Sequence, residues 1–306
     1  MPLPPAPTLG GALTAWTPDA GGLLLAGGLA VGYALGSRHD RRPARTACWA
    51  GGLGVLLLAS CGWTGAYAHT LLWAFTLQVV VLLLVVPVLL AYGRPLELLP
   101  DGVHRVLARL ADPLVGPLLV PVLLAVVFFT PVLRWSLADP AVLAALQLTL
   151  VATGLLLAVG VVGDEEGPAT SLAVGAAVAV GFGELLLDAI PGIVLRLRTH
   201  VLDAGYWQGL HRPYGGTQLI DQQHAGAVLW FVAEAVDLPF LVILVRRWIR
   251  TDEREAARVD ASLDAEYAAR PVSPVEVADP DAPELVRPWW ETDPDRLGGH
   301  RVTRRR

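Results

Sequence analysis

Seven stretches of mostly apolar residues, at 21–35, 47–63, 70–92, 114–133, 141–163, 171–195 and 223–245, constrain this chain more than any other feature. A helix of about 20 apolar residues covers the hydrocarbon thickness of a bilayer, where every backbone N–H and C=O must be satisfied within the segment. The expected fold is therefore an all-α membrane protein with seven transmembrane helices. Composition agrees: 54% of the 306 residues are apolar and only 17% are charged, against roughly a quarter charged in soluble domains. Three regions follow: an extracytoplasmic N-terminal segment (1–20), a seven-helix transmembrane domain (21–250) and a C-terminal tail (251–306). The tail is polar, proline-rich and mixed in charge, and reads as disordered. No arginine precedes Arg38, so the first apolar run lacks the cationic start of a cleaved secretory signal and is read as a retained span.

The basic residues, all of them arginine, set the orientation. Arg38, Arg41, Arg42 and Arg45 lie in the first connection, Arg94, Arg105 and Arg109 in the third, and Arg246, Arg247 and Arg250 at the end of the last span. The other side holds Arg134, Arg196, Arg198 and Arg212. The positive-inside rule then places the N-terminus outside and the C-terminus in the cytoplasm. Between the third and fourth spans, Leu96, Leu99, Val103, Val106, Leu107 and Leu110 recur at helical spacing, as expected of a short amphipathic helix on the inner surface. No strong basic patch points to nucleic acid. Cys48 and Cys61, about 20 Å apart along one helix, cannot form a disulfide and read as small buried hydrophobes.

With that orientation the polar groups converge on the outer side. His69 begins the third span, Asp188 lies late in the sixth, and Asp221 and His224 open the seventh; His200 and His211 sit in the loop between the last two. Imidazole and carboxylate together can hold a divalent transition metal, and neutral imidazole suits copper. His69, His224, Asp221 and Asp188 are accordingly the candidate metal ligands, with interfacial solvation and helix capping by Asp221 as the competing explanation. Met1 is the single methionine, which excludes a methionine-rich copper relay. Glu184 and Asp188 share a helix face with Gly181 and Gly192, and Glu234 and Asp237 lie deeper on the seventh span, where interhelical hydrogen bonding is the expected role.

The third span carries Gln78 and Pro87, which lacks a donor and should kink it; Gly93 and Pro95 then stop it. Two tracts now stand out: Pro87-Val88-Leu89-Leu90-Ala91-Tyr92-Gly93-Arg94-Pro95, and Asp221-Gln222-Gln223-His224-Ala225-Gly226 running on to Trp230. In this order, and with the seven-span layout, the chain resembles the CtaG family over roughly 66–250. These are bacterial membrane proteins associated with assembly of caa3-type cytochrome c oxidases. The resemblance implies an assembly factor, not an enzyme, in the bacterial cytoplasmic membrane, with oxidase subunits and the lipid bilayer as partners and copper as the cofactor to look for. Where family members commonly carry a His-x-x-x-His pair, this chain has Phe75 and Val79, and a further histidine position falls at Gln147. The alternative reading is a small transporter or copper-homeostasis permease, whose polar path would need Gln78, Glu184, Asp188, Glu234 and Asp237. An enzyme has least support, because no H-E-x-x-H, G-x-S-x-G or phosphate loop is present.

Overall fold

The computed structural model describes residues 3–38, 42–95, 116–162 and 171–269. Among these, every regular element is a helix: α1 (Leu9–Thr14), α2 (Ala20–Gly36), α3 (Pro43–Cys61), α4 (Trp63–Ala68), α5 (Leu72–Val80), α6 (Val86–Tyr92), α7 (Gly116–Phe129), α8 (Val132–Ala138), α9 (Pro140–Val162), α10 (Ser171–Leu197), α11 (Ala204–Gly209) and α12 (Gln218–Ala269). A π-helical turn, Val81–Val85, joins α5 to α6. Four helices are long and apolar enough to cross a membrane: Pro43–Ala68, Leu72–Tyr92, Pro140–Ala158 and Val174–Leu197. The α7–α8 pair makes a fifth if its 66° bend lies within one span. The chain is thus a multi-pass membrane protein.

Two of the expected spans depart from simple rods for identifiable reasons. α2 has 17 residues, which reach about 25 Å at 1.5 Å per residue, short of a full bilayer core. The stretch 114–133 breaks at Thr130-Pro131, because Pro131 has no N–H with which to continue the helix. The amphipathic stretch 96–110 lies outside the described residues, as does the acidic run Asp164-Glu165-Glu166.

Leu72–Tyr92 is the central strut, with 67% of its most apolar window buried. Phe75, Val79, Leu82, Leu83, Val86 and Leu90 are all core residues, and Phe75 meets Phe128 of α7 edge-on with ring centroids 6.1 Å apart. The strut is irregular where Pro87 falls. Proline offers no N–H to the carbonyl four residues back, which is that of Leu83, and the π turn occupies this position. Gly154 of α9 sits directly over the freed carbonyl: a Cβ there would collide with Leu83 O and stand 2.6 Å from Pro87 Cγ. Only glycine lets α9 approach so closely. Farther along, Gly93 ends α6 beneath Trp49, whose ring stacks on Tyr33 at 4.5 Å, and the Tyr33 hydroxyl donates to Gly93 O. Arg94 then turns with φ 51°, a left-handed conformation that breaks the helix ahead of Pro95. Gln78, 3% exposed, donates to Ala59 O at 3.1 Å and ties the strut to α3.

The chain divides into two compact units, Met1–Glu255 and Ala256–Arg306. The tail expected to be disordered from residue 251 is corrected over its first part, since residues 251–269 are helical and mostly exposed. The segment from 240 to 270 contains neither glycine nor proline and is rich in Ala, Glu and Arg. Extending an existing helix into good helix formers needs no new nucleus. Residues 270–306 lie outside the described residues. Cys48 and Cys61 are both free.

Candidate functional site

At one end of the first unit, the start of α5, the end of α10, the loop 198–217 and the start of α12 meet around Asp221 and Gln222. Asp221 lies in the first turn of α12, beyond Thr217, whose carbonyl accepts from Asp221 N and whose hydroxyl accepts from Ile220 N. Its carboxylate does not cap its own helix. It caps α5 instead: Leu72 N donates to Oδ2 at 2.9 Å and Trp73 N to Oδ1 at 3.2 Å, satisfying two amides that a helix N-terminus leaves free. Arg212 completes the arrangement, forming an ion pair with Asp221 Oδ2 at 2.9 Å and donating to Thr70 O at 2.9 Å. Both side chains are almost wholly buried.

Gln222, fully buried, fastens the loop. Its amide oxygen accepts from Leu202 N at 2.7 Å, and its amide nitrogen donates to His200 O at 3.1 Å and Leu195 O at 3.5 Å. Tyr206 of α11 donates its hydroxyl to His69 O at 3.0 Å, and burial pushes its phenol above the usual range. One turn farther into α12, Gly226 crosses Gly192 of α10 backbone to backbone. Trp230 follows and donates to Glu234. The D-Q-Q-x-x-G-x-x-x-W tract is thus a fastening that clamps α5, α10 and the connecting loop to α12. Gln223 contributes only its carbonyl, which accepts from Arg196.

The candidate metal ligands sit in different surroundings. Asp221 has both oxygens engaged by amides and a guanidinium, Asp188 is buried on α10, and His224 is exposed on α12. His69 lies between α4 and α5 in the field of Asp19. Among the described residues, no three His, Cys, Asp or Glu side chains gather where they could hold a metal ion. This end also carries the imidazoles of His69, His200 and His211, the donor type that copper favours, but its buried centre at Asp221 and Gln222 is built from carboxylate, amide and guanidinium. Phe75 and Val79 are core residues, and Gln147 donates to Asp19 at 2.7 Å. Sequence reasoning missed Arg212 as the partner of Asp221. The available signal was an arginine in a loop beside an acidic helix start. It also missed Asp19, which caps α2 by accepting from Gly22 N at 2.9 Å in the Thr-Pro-Asp-Ala pattern of a helix entry.

His69 provides a pH dependence. Burial holds its imidazole below the usual histidine range, against the opposing effects of the Asp19 carboxylate and a bond to the Gly65 backbone. A base whose folded pKa is lowered takes up its proton more readily once unfolded. The associated stability is complete above the unfolded value of about 6.5 and is lost as pH falls through it. Melting in detergent should therefore shift downward between pH 7.5 and pH 5.5, and His69→Asn should flatten that slope. An unchanged slope in the variant would refute the assignment to His69.

A model of the cytochrome c oxidase caa3 assembly factor family matches residues 30–251, nearly three quarters of the chain. The chain belongs to this CtaG family. Two relatives, proteins of Mycobacterium bovis and Mycobacterium tuberculosis both described as uncharacterized, are each 27% identical over 292 residues, covering 87% of this chain and 44% of their own length. A Mycobacterium leprae protein with the same description is 24% identical over 266 residues, covering 78% and 40%. The chain spans less than half the length of these relatives. No solved structure matches it.

Proposed function

We propose that this chain is an assembly factor for a haem-copper cytochrome c oxidase in the bacterial cytoplasmic membrane, and that it acts as a docking scaffold without chemistry of its own. Family membership over 30–251 is the single observation that carries the reading. The arginine distribution supports a seven-span, N-out topology, with α2, the α7–α8 pair and the apolar part of α12 completing the set of spans. The clamped end built by Asp221, Gln222 and Arg212 then faces the extracytoplasmic side, where it presents a rigid surface to an oxidase subunit. The buried groups of this end, Asp221, Gln222 and Arg212, are engaged with backbone and with one another, which supports the scaffold reading over a copper relay.

A deletion strain tests the assembly role. Its membranes should show a several-fold loss of oxidase haem a in reduced-minus-oxidised spectra, restored by the wild-type gene. Normal haem a and copper content in the deletion strain would refute the proposal. In parallel, purified wild type and the His69→Ala/His224→Ala double variant should carry the same background copper. Copper bound stoichiometrically by wild type alone would reinstate the relay.

A further inference from the structure

The first turn of α2 gathers oxygen atoms that the fold does not satisfy. Asp19 accepts from Gly22 N at 2.9 Å and from Gln147 Nε2 at 2.7 Å, and both bonds fall on Oδ2. Gln147 is 1% exposed and Ser60 is 2% exposed, yet Gln147 Oε1 and Ser60 Oγ have no hydrogen-bond partner among the described residues. A buried oxygen with no partner carries a desolvation cost of about 1–3 kcal/mol, and two occur here beside the turn that Asp19 caps.

Glycines define the space. A Cβ on Gly22 would lie 2.7 Å from Ser60 Oγ and 3.0 Å from Asp19 Oδ2, so hydroxyl and carboxylate converge on the same backbone position. A Cβ on Gly21 would lie 3.1 Å from Gln147 Oε1. α2, α3 and α9 thus each bring one side chain to a single turn. No arginine pairs with Asp19 among the described residues, and the ionisable neighbour that feels its charge is His69.

The chemistry of the set is specific. Carboxylate, amide oxygen and hydroxyl are hard donors with one negative charge between them. Calcium and magnesium generally recruit more carboxylates or retained water, and transition metals favour nitrogen and sulfur. A monovalent hard cation matches both the donors and the charge. We propose that Asp19, Ser60 and Gln147 form a sodium-ion site that joins α2 to α3 and α9. The site is independent of the oxidase-assembly reading, because its test measures only ion-linked stability.

The full chain, purified in detergent, is melted by intrinsic tryptophan fluorescence in NaCl, KCl and choline chloride at equal ionic strength. Sodium should raise Tm saturably, by about 2–4 °C over choline once the site is filled, and potassium should raise it less. Ser60→Ala and Asp19→Asn should both lose the sodium increment. Ser60→Ala removes a single atom, so its Tm in choline should stay near that of wild type and report that the fold is intact. Equal melting in all three salts would overturn the site and leave a bridging water as its occupant. An equal rise in potassium, or a sodium increment retained by both variants, would overturn it as well.

Discussion

Replacing Arg212 with alanine is expected to cost about 3–5 kcal/mol, the usual effect of stranding one partner of a buried ion pair. The guanidinium side chain is 4% exposed and the Asp221 carboxylate 2%, so water screens neither. Losing Arg212 leaves Asp221 with the amides of Leu72 and Trp73 only, and frees Thr70 O from its donor. Because those contacts join the start of α5 to loop 198–217, the loop should become sensitive to protease in detergent-solubilised protein while the helical circular-dichroism signal is retained. Arg212→Lys should recover only part of the stability, since an ammonium cannot reach the Asp221 carboxylate and Thr70 O with the same fixed fork. A variant that melts within about 1 kcal/mol of wild type would show that the pair is solvated and that the clamp is held by Gln222 alone.

Gly226→Ala should be comparably severe. The added methyl would stand 2.5 Å from Arg196 N and 2.7 Å from Gly192 O, both backbone atoms that no rotamer change can move. α10 and α12 would have to separate, weakening a glycine-to-glycine crossing of the kind that brings membrane helices together. Overpacking of this sort costs typically 1–3 kcal/mol, sometimes more, and the loss should appear as a lower yield of monodisperse protein in gel filtration. Gly51→Ala, at a position where a Cβ meets nothing within 4 Å, is the matched control and should be neutral. Equal behaviour of the two variants would mean that the crossing at Gly192 and Gly226 is loose.

Much of the helical framework could be read directly because lipid imposes long apolar runs, and the stop at Gly93-Arg94-Pro95 follows from the limits of proline and left-handed backbone. The interactions between helices could not. Local rules offer Asp221 its own helix to cap, as the alternative to a metal, but its carboxylate caps α5, where Leu72 lies 149 positions earlier in the chain. Arg212 looked like one more loop charge, because its burial depends on how loop 198–217 folds over Thr70. His69 and His224 look alike in a one-dimensional map of the outer side. In three dimensions one lies near Asp19 and the other is exposed on α12. Asp19 itself fell in a segment taken for a terminal extension, although its contact with Gln147 ties it to α9.

The π turn at Val81–Val85 has a consequence for how the strut can vary. One residue wound into an α-helix rotates everything beyond it by about 100° relative to an uninterrupted helix. Val86, Leu90 and Ala91 are buried with that rotation in place upstream. Removing one residue between 81 and 85 would let the π turn close to an α turn and leave those side chains facing as they do, whereas straightening the turn with all five residues kept would swing them toward lipid and carry Gly93 out from under Trp49. The winding of this short segment, more than the identity of its side chains, therefore sets which face the second half of the strut turns toward its neighbours.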